Sequence, residues 1–143
     1  MVLIDHIVDW GEQWIETTVN RHSTALFQQK NGEVSSMVAM EYLCQSAASH
    51  AGIRQLESGK DVTIGFIIGA RQFEIDPNLF YAHHDYQVRV DQTFLDAQGI
   101  AVYDCRLYPA GKRTPKIAHA IIKAVMPDDP ALVINKRVYQ TAQ

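Results

Sequence analysis

Hydrophobic positions along the chain follow two rhythms. Val2, Ile4 and Val8, then Ile15, Thr17 and Val19, stand at even steps, and "DWGEQW" between them supplies a turn around Gly11. The pattern predicts a strand or hairpin at the start of the chain. A polar stretch, "NRHSTALFQQKNGEVSS", follows and carries a turn at "KNGE". Helical spacing then takes over. Met37, Met40, Cys44, Ala47, Ala48 and Ala51 recur on one arc, which predicts a helix over roughly Ser36 to Ser58, capped by Ser35 or Ser36 and ended by "ESGKD" at Gly59. The opposite side, with Ala39, Tyr42, Ser46 and His50, is small and nearly uncharged. A helix apolar on most sides is expected to be wrapped by the rest of the fold.

Even spacing returns after Gly59. "DVTIGFIIGARQFEI" is rich in β-branched and aromatic residues. "DYQVRVDQTFL", "IAVYDCRLY" and "KIAHAIIKAVM" alternate, and turns at "DAQG" and "PAGKRTP" separate them. "AHAIIKA" suits a helix by propensity, but its place after a hairpin turn favours strand. The expected fold class is α+β: one antiparallel sheet wrapped around one long central helix. The chain of 143 residues reads as a single domain, 1–143, in which 128–143 form a peripheral tail.

Composition narrows the function. A net charge of −3 with no basic run argues against bulk binding to nucleic acid or to an anionic membrane surface. No stretch reaches the roughly 18 apolar residues of a membrane span. The opening "MVLIDHIVDW" is no signal peptide, so a cytoplasmic location is expected. Cys44 and Cys105 lack metal-ligand or CxxC spacing and read as buried thiols. No metal site is expected: His83 and His84 are adjacent and diverge, with no third ligand at a useful spacing. His6, His50 and His119 read as structural, and Lys112, Arg113 and Lys116 as a solvated hairpin tip. Carrier-protein docking is the minor reading of that tip.

One side chain breaks the pattern. Glu41 is the only carboxylate in "MVAMEYLCQSAASHAG". A buried carboxylate must be paired, reached by water, or held protonated. The last case makes a general acid. The alternatives are a structural hydrogen bond, or a first-turn glutamate favoured by the helix dipole.

"MEYLCQSAASHAG" resembles the Glu-x-x-x-Gln helix start of the hotdog-fold 3-hydroxyacyl–acyl carrier protein dehydratases. "IGFIIGARQFEI" and "VRVDQTF" add to the likeness. It is nearer still to the dehydratase-like proteins of aryl-polyene pigment clusters, through "EYLCQSAASHAG", "GFIIGAR" and the opening "MVLIDHIVDWGEQW", over Met1 to Met126. Such proteins often carry a short segment before "MVLID", which implies an abbreviated N-terminus here.

The resemblance implies a dimer whose sheets join edge to edge. Each site lies at the interface, in a tunnel for an acyl chain on the phosphopantetheine of an acyl carrier protein, with no other cofactor. A histidine of one subunit takes the proton beside the thioester, and an acid on the other subunit's helix protonates the departing hydroxyl. Carried over, Glu41 is the acid, the amides near Ser36 and Met37 polarise the thioester carbonyl, and Gln45 orients Glu41; Gly65 and Gly69, which flank "FII", read as packing or bulge positions where an acyl chain passes.

The family's His-Phe-Pro-Gly-like loop is missing, and no histidine occurs from Ser23 to Ser49. Three readings stay open: His22 reaches the site by a rerouted loop, a different hotdog subunit supplies the histidine in a heterodimer, or the chain binds acyl groups without dehydrating them. A hotdog thioesterase, in which Glu41 activates water or attacks the thioester, is the rival chemistry.

Overall fold

The two rhythms become a sheet and a helix. The computed structural model describes residues 2–63 and 65–126 of the chain. The elements in order are β1 (His6–Trp10), β2 (Trp14–Val19), α1 (Arg21–Ala25), α2 (Ser36–Glu57), β3 (Phe66–Ile75), β4 (Tyr86–Leu95), β5 (Ile100–Pro109) and β6 (Ala118–Val125). The strands form a six-stranded sheet of order β1-β2-β4-β5-β6-β3. Every neighbouring pair is antiparallel. Ala118–Val125 is a strand, as its place after the hairpin turn predicts.

Alternation decides which face is dry. Ile15 pairs with Val90, Val90 with Cys105, and Cys105 with Ala120, and all four are fully buried. Each large apolar side chain removed from water contributes about 1.5–3 kcal/mol. The opposite face carries charge. Glu16, Arg89, Asp91, Arg106 and Asp104 lie along it as ion pairs of 3.0–4.0 Å, and His119 bonds to Asp104 at 2.8 Å. Arg89 also lies over the Trp14 ring, 4.3 Å from its centroid.

Helix α2 lies on the dry face and touches β2, β4, β5, β6 and β3. Ser35 caps it, its Oγ accepting from the Met37 N–H. At the other end Gly59 takes φ +73°. The Lys60 N–H donates to Gln55 O and the Gly59 N–H to Leu56 O, both at 3.0 Å. That left-handed turn needs a residue without Cβ, and glycine meets the need.

The orientation of α2 departs from the sequence reading. The deeply buried residues are Val38, Ala39, Tyr42, Leu43, Ser46, Ala47 and His50. The small, nearly uncharged side is therefore the one pressed onto the sheet. Much of the Met-Cys-Ala arc faces away from it: Met37 is 68% exposed and Ala48 is also exposed, while Met40, Cys44 and Ala51 are half-buried. Periodicity identified two apolar sides and could not rank them. Hydrogen-bond partners on β2, on α1 and in the β1–β2 turn ranked them instead. Tyr42 reaches Thr24 (2.9 Å), Ser46 reaches Thr17 (2.8 Å), and His50 Nε2 donates to the carbonyls of Gly11 and Glu12 (3.3 and 3.1 Å).

Two further departures are local. The stretch read as polar coil contains α1, a single short helix capped by Asn20, whose Oδ1 accepts from the His22 and Ser23 N–H groups. Five residues are too few to show a period. Strand β3 begins at Phe66 rather than Asp61, and its register slips between Ile67 and Gly69 and between Arg71 and Glu74. Gln72, with φ 56°, sits in the second slip. The expected tail, 128–143, lies outside the described residues.

Candidate functional site

The uncovered side of α2 faces a cavity of about 450 Å³. Its walls are small residues of the helix, Ala47, Ala48 and Ala51, with Gly65 and Ile67 where the chain enters β3. Tyr103 and Ala124, inward-facing on β5 and β6, form its floor. Alanines one turn apart leave room that leucines would fill, and Gly65 and Ala124 continue this beyond the helix. The volume lies within the range of small-molecule sites, and the lining is mostly apolar.

Glu41 and Gln45 bring a carboxyl and an amide to the lining, which also includes Thr63. Gln45 Nε2 donates to Glu41 Oε1 at 3.0 Å. Gln45 Oε1 accepts from the backbone N–H of Leu3 at 2.7 Å. The turn-to-turn spacing of a helix brings residues 41 and 45 together, as the Glu-x-x-x-Gln pattern implies. Glu41 itself is exposed. The dry burial expected of it is not found among the described residues, none of whose strands crosses this side of α2.

The other candidate residues divide. Gly65 lines the cavity, while Gly69 does not and instead borders the first β3 register slip. Ser36 and Met37 are exposed and outside the lining, and the Met37 N–H is taken by the cap at 3.3 Å. His22 is exposed on α1 and also outside the lining, so the protomer does not bring it into the cavity with Glu41.

Sequence reasoning did not single out Tyr103, Ala124, Thr63 and Met126 as site residues. The alternation of β5 and β6 marks Tyr103 and Ala124 as inward-facing, but only the sheet order places them beneath α2. Burial raises the Tyr103 phenol above its usual value, and a hydrogen bond from Gln92 opposes this. The phenol therefore stays neutral.

Cys44 lines the same cavity, and its thiol is pushed up to about 11, first by burial and then by the Glu41 charge. It is a thiol and not a thiolate at neutral pH, which argues against a cysteine nucleophile. Among the described residues no group of three His, Cys, Asp or Glu side chains is placed to hold a metal ion. His83 is bonded to Gln28 (2.9 Å), and His84 packs against the Tyr81 ring. Arg113, on the tip read as solvated, reaches back to Glu16. No helix of the described residues is long and apolar enough to cross a membrane.

The far side of the site ends at a bare sheet edge. Among the described residues β3 pairs only with β6, and Ile67 and Ile68 on it are 45% and 44% exposed. An edge of this length with apolar side chains is ready to accept another strand.

Comparison with known proteins bears on this arrangement. A family model described as ApeP-like, ApeP dehydratase, matches residues 1–135. No curated protein matches the chain. Among solved structures, the dehydratase heterocomplex ApeI:P from Xenorhabdus doucetiae is similar at TM-score 0.79 and 13% identity, over 92% of this chain and 87% of that one. The PaaI protein of the E. coli phenylacetic acid degradation operon is similar at TM-score 0.65 and 13% identity, over 85% and 78%. A hypothetical thioesterase with coenzyme A from Streptococcus pneumoniae follows at TM-score 0.61 and 10% identity, over 84% and 86%. At such identities the likeness establishes a shared fold, the hotdog arrangement of one sheet around one helix.

Proposed function

This chain belongs to the ApeP-like dehydratase family, and from that premise we propose that it removes water from 3-hydroxyacyl thioesters carried on an acyl carrier protein, in a site completed by a second hotdog subunit. The observation that carries the reading is Glu41, held by Gln45 beside an apolar cavity on the open side of α2. The cavity suits an acyl chain, and the carboxyl stands where the chain's oxygenated end can meet it.

In the proposed step a base takes the proton from C2, the electron pair forms the C2=C3 bond, and the C3 hydroxyl leaves with the Glu41 proton as water. Glu41 is left as a carboxylate. A second proton transfer returns the base and acid to their starting states. Positioned acid–base groups of this kind contribute typically about 10²–10⁴-fold to rate.

The base comes from across the interface. No histidine lines the cavity among the described residues, and β3 offers the edge on which a second subunit docks. The partner is either a second copy, contributing its His22, or a different hotdog subunit with its own imidazole. The ApeI:P heterocomplex among the similar structures makes the mixed pair a concrete case to test. No resident cofactor is needed, since the phosphopantetheine arrives with the substrate.

The test is to assay the chain alone and co-expressed with a neighbouring hotdog subunit, following enoyl product and thiol release together. Enoyl product without thiol supports dehydration. Thiol release without enoyl product points to a thioesterase instead. Activity of the chain alone that is lost in His22→Ala supports the second-copy case. Activity only in the mixed pair, indifferent to His22→Ala, supports the different subunit.

A further inference from the structure

We infer that the backbone N–H of Leu3 is a positioning group for Glu41: it fixes the Gln45 amide so that Gln45 donates to the glutamate and cannot present its oxygen instead. The catalytic consequence rests on the dehydration reading above, while the geometry stands without it.

A backbone N–H can only donate. It lies 2.7 Å from one end of the Gln45 amide, and that end must be oxygen. The end facing Glu41 Oε1, at 3.0 Å, is therefore the NH₂ group. An unanchored amide can turn over and set its oxygen against the carboxyl, which is repulsive once Glu41 is ionised. The anchor itself is firm. The Leu3 side chain is buried at 4% exposure, and the Asp5 N–H, two residues on, donates to Thr18 O of β2 at 2.8 Å. The N-terminal segment is thus tied to the sheet while its third residue sets a side chain of the helix.

The arrangement assigns the two oxygens of Glu41 different tasks. Oε1 accepts from Gln45 throughout. Oε2 is the oxygen left to carry the proton that goes to the departing hydroxyl. When that proton leaves, the Gln45 bond becomes charge-assisted and shortens. The interaction therefore strengthens in the direction of the reaction, which is the condition for lowering a barrier rather than only binding substrate.

Proline at position 3 removes the N–H, and alanine keeps it while also shortening the buried side chain. Both variants are assayed in the active assembly, as kcat and KM for a 3-hydroxyacyl thioester. Leu3→Pro is expected to lose kcat roughly tenfold to a hundredfold beyond Leu3→Ala, the scale of one charge-assisted hydrogen bond, with KM within about twofold. Equal losses in the two variants overturn the inference.

If Leu3→Pro does not fold, Gln45→Glu asks the same question. That side chain still accepts from Leu3 but offers Glu41 no donor, and retained kcat overturns the inference.

A third arm needs no turnover. In ¹⁵N NMR the Leu3 amide should be protected from exchange, and the Gln45 side-chain NH₂ resonances should move toward those of a free glutamine amide in Leu3→Pro. Absence of that change overturns the inference even if the chain proves to be no dehydratase. An anchored amide in a protein that forms no enoyl product leaves the geometry standing and removes only the chemistry.

Discussion

The two sides of α2 are built from the same small and apolar residue types, yet they are finished differently. On the sheet side the intruding polar groups bond into the packed core: Tyr42 to Thr24, Ser46 to Thr17, and His50 through Nε2 to two carbonyls, with its Nδ1 left without a partner. On the open side Met37 and Ala48 are bare, and the polar pair Glu41–Gln45 borders a cavity and not a packed wall. The first side is a completed core. The second is half of something, and its polar groups are arranged toward the space and not against it. The difference teaches that a uniformly greasy helix can serve stability and chemistry on opposite faces, packing against the sheet marking one and a polar pair at a cavity the other.

That contrast can be broken at either face. The largest expected effect is on the open side: Glu41→Gln should lower enoyl formation about 10²–10⁴-fold and move stability by no more than about 0.5 kcal/mol in urea unfolding, as an exposed substitution does. Wild-type turnover in that variant would falsify the assignment of the acid.

The mirror case is Tyr42→Ala. It removes a fully buried ring and orphans the Thr24 hydroxyl, and should cost about 3–5 kcal/mol in unfolding. A near-neutral result there means the two sides are not distinct. Ser46→Ala tests the same closure on a smaller scale. Ser46 donates to Tyr42 O and pairs with Thr17, both at 2.8 Å. Leaving the buried Thr17 hydroxyl without a partner should cost about 1–3 kcal/mol by the same measurement.

On the open side again, Ile67→Lys places a charge on the bare β3 edge. It should weaken subunit association at least about tenfold, about 1.4 kcal/mol, by sedimentation. Unchanged association moves the interface elsewhere.

The smallest effect is a pH slope. Burial, ahead of other causes, holds the His50 imidazole below its usual value, against opposing bonds to Gly11 and Glu12. Its Nδ1 is buried with no partner, so a proton there is costly. The unfolded chain takes up that proton near pH ~6.5 and the folded chain resists it. Stability is therefore full above this pH and declines as pH falls below it. His50→Leu should flatten that part of the stability–pH curve, and an unchanged slope would assign it to other groups.

How much of this was legible in the chain depends on the range of the interaction. Element identities were, because alternation and helical spacing are local. So were the Ser35 cap and the Gly59 stop. Glu41 and Gln45 were legible as a pair because a helix sets residues four apart side by side. Short α1 was not, since one turn carries no period. That the Met37 N–H is taken up by the Ser35 side chain was not legible from spacing, since the cap's rotamer is set by the fold. His22, placed by sequence distance to Glu41, lies outside the cavity in the protomer because α1 follows β2 and packs through Thr24 beneath Tyr42, on the sheet side of α2.

The sequence by itself determined a single long helix, strands that alternate, and one carboxylate out of keeping with its neighbours. These follow from residue spacing and from the cost of removing charge from water. Only the tertiary structure decided which side of α2 meets the sheet, that Tyr103 and Ala124 floor the cavity, and that Leu3 reaches Gln45 from forty-two residues away. Those depend on strand order and register, which bring together residues whose separation along the chain carries no local signal.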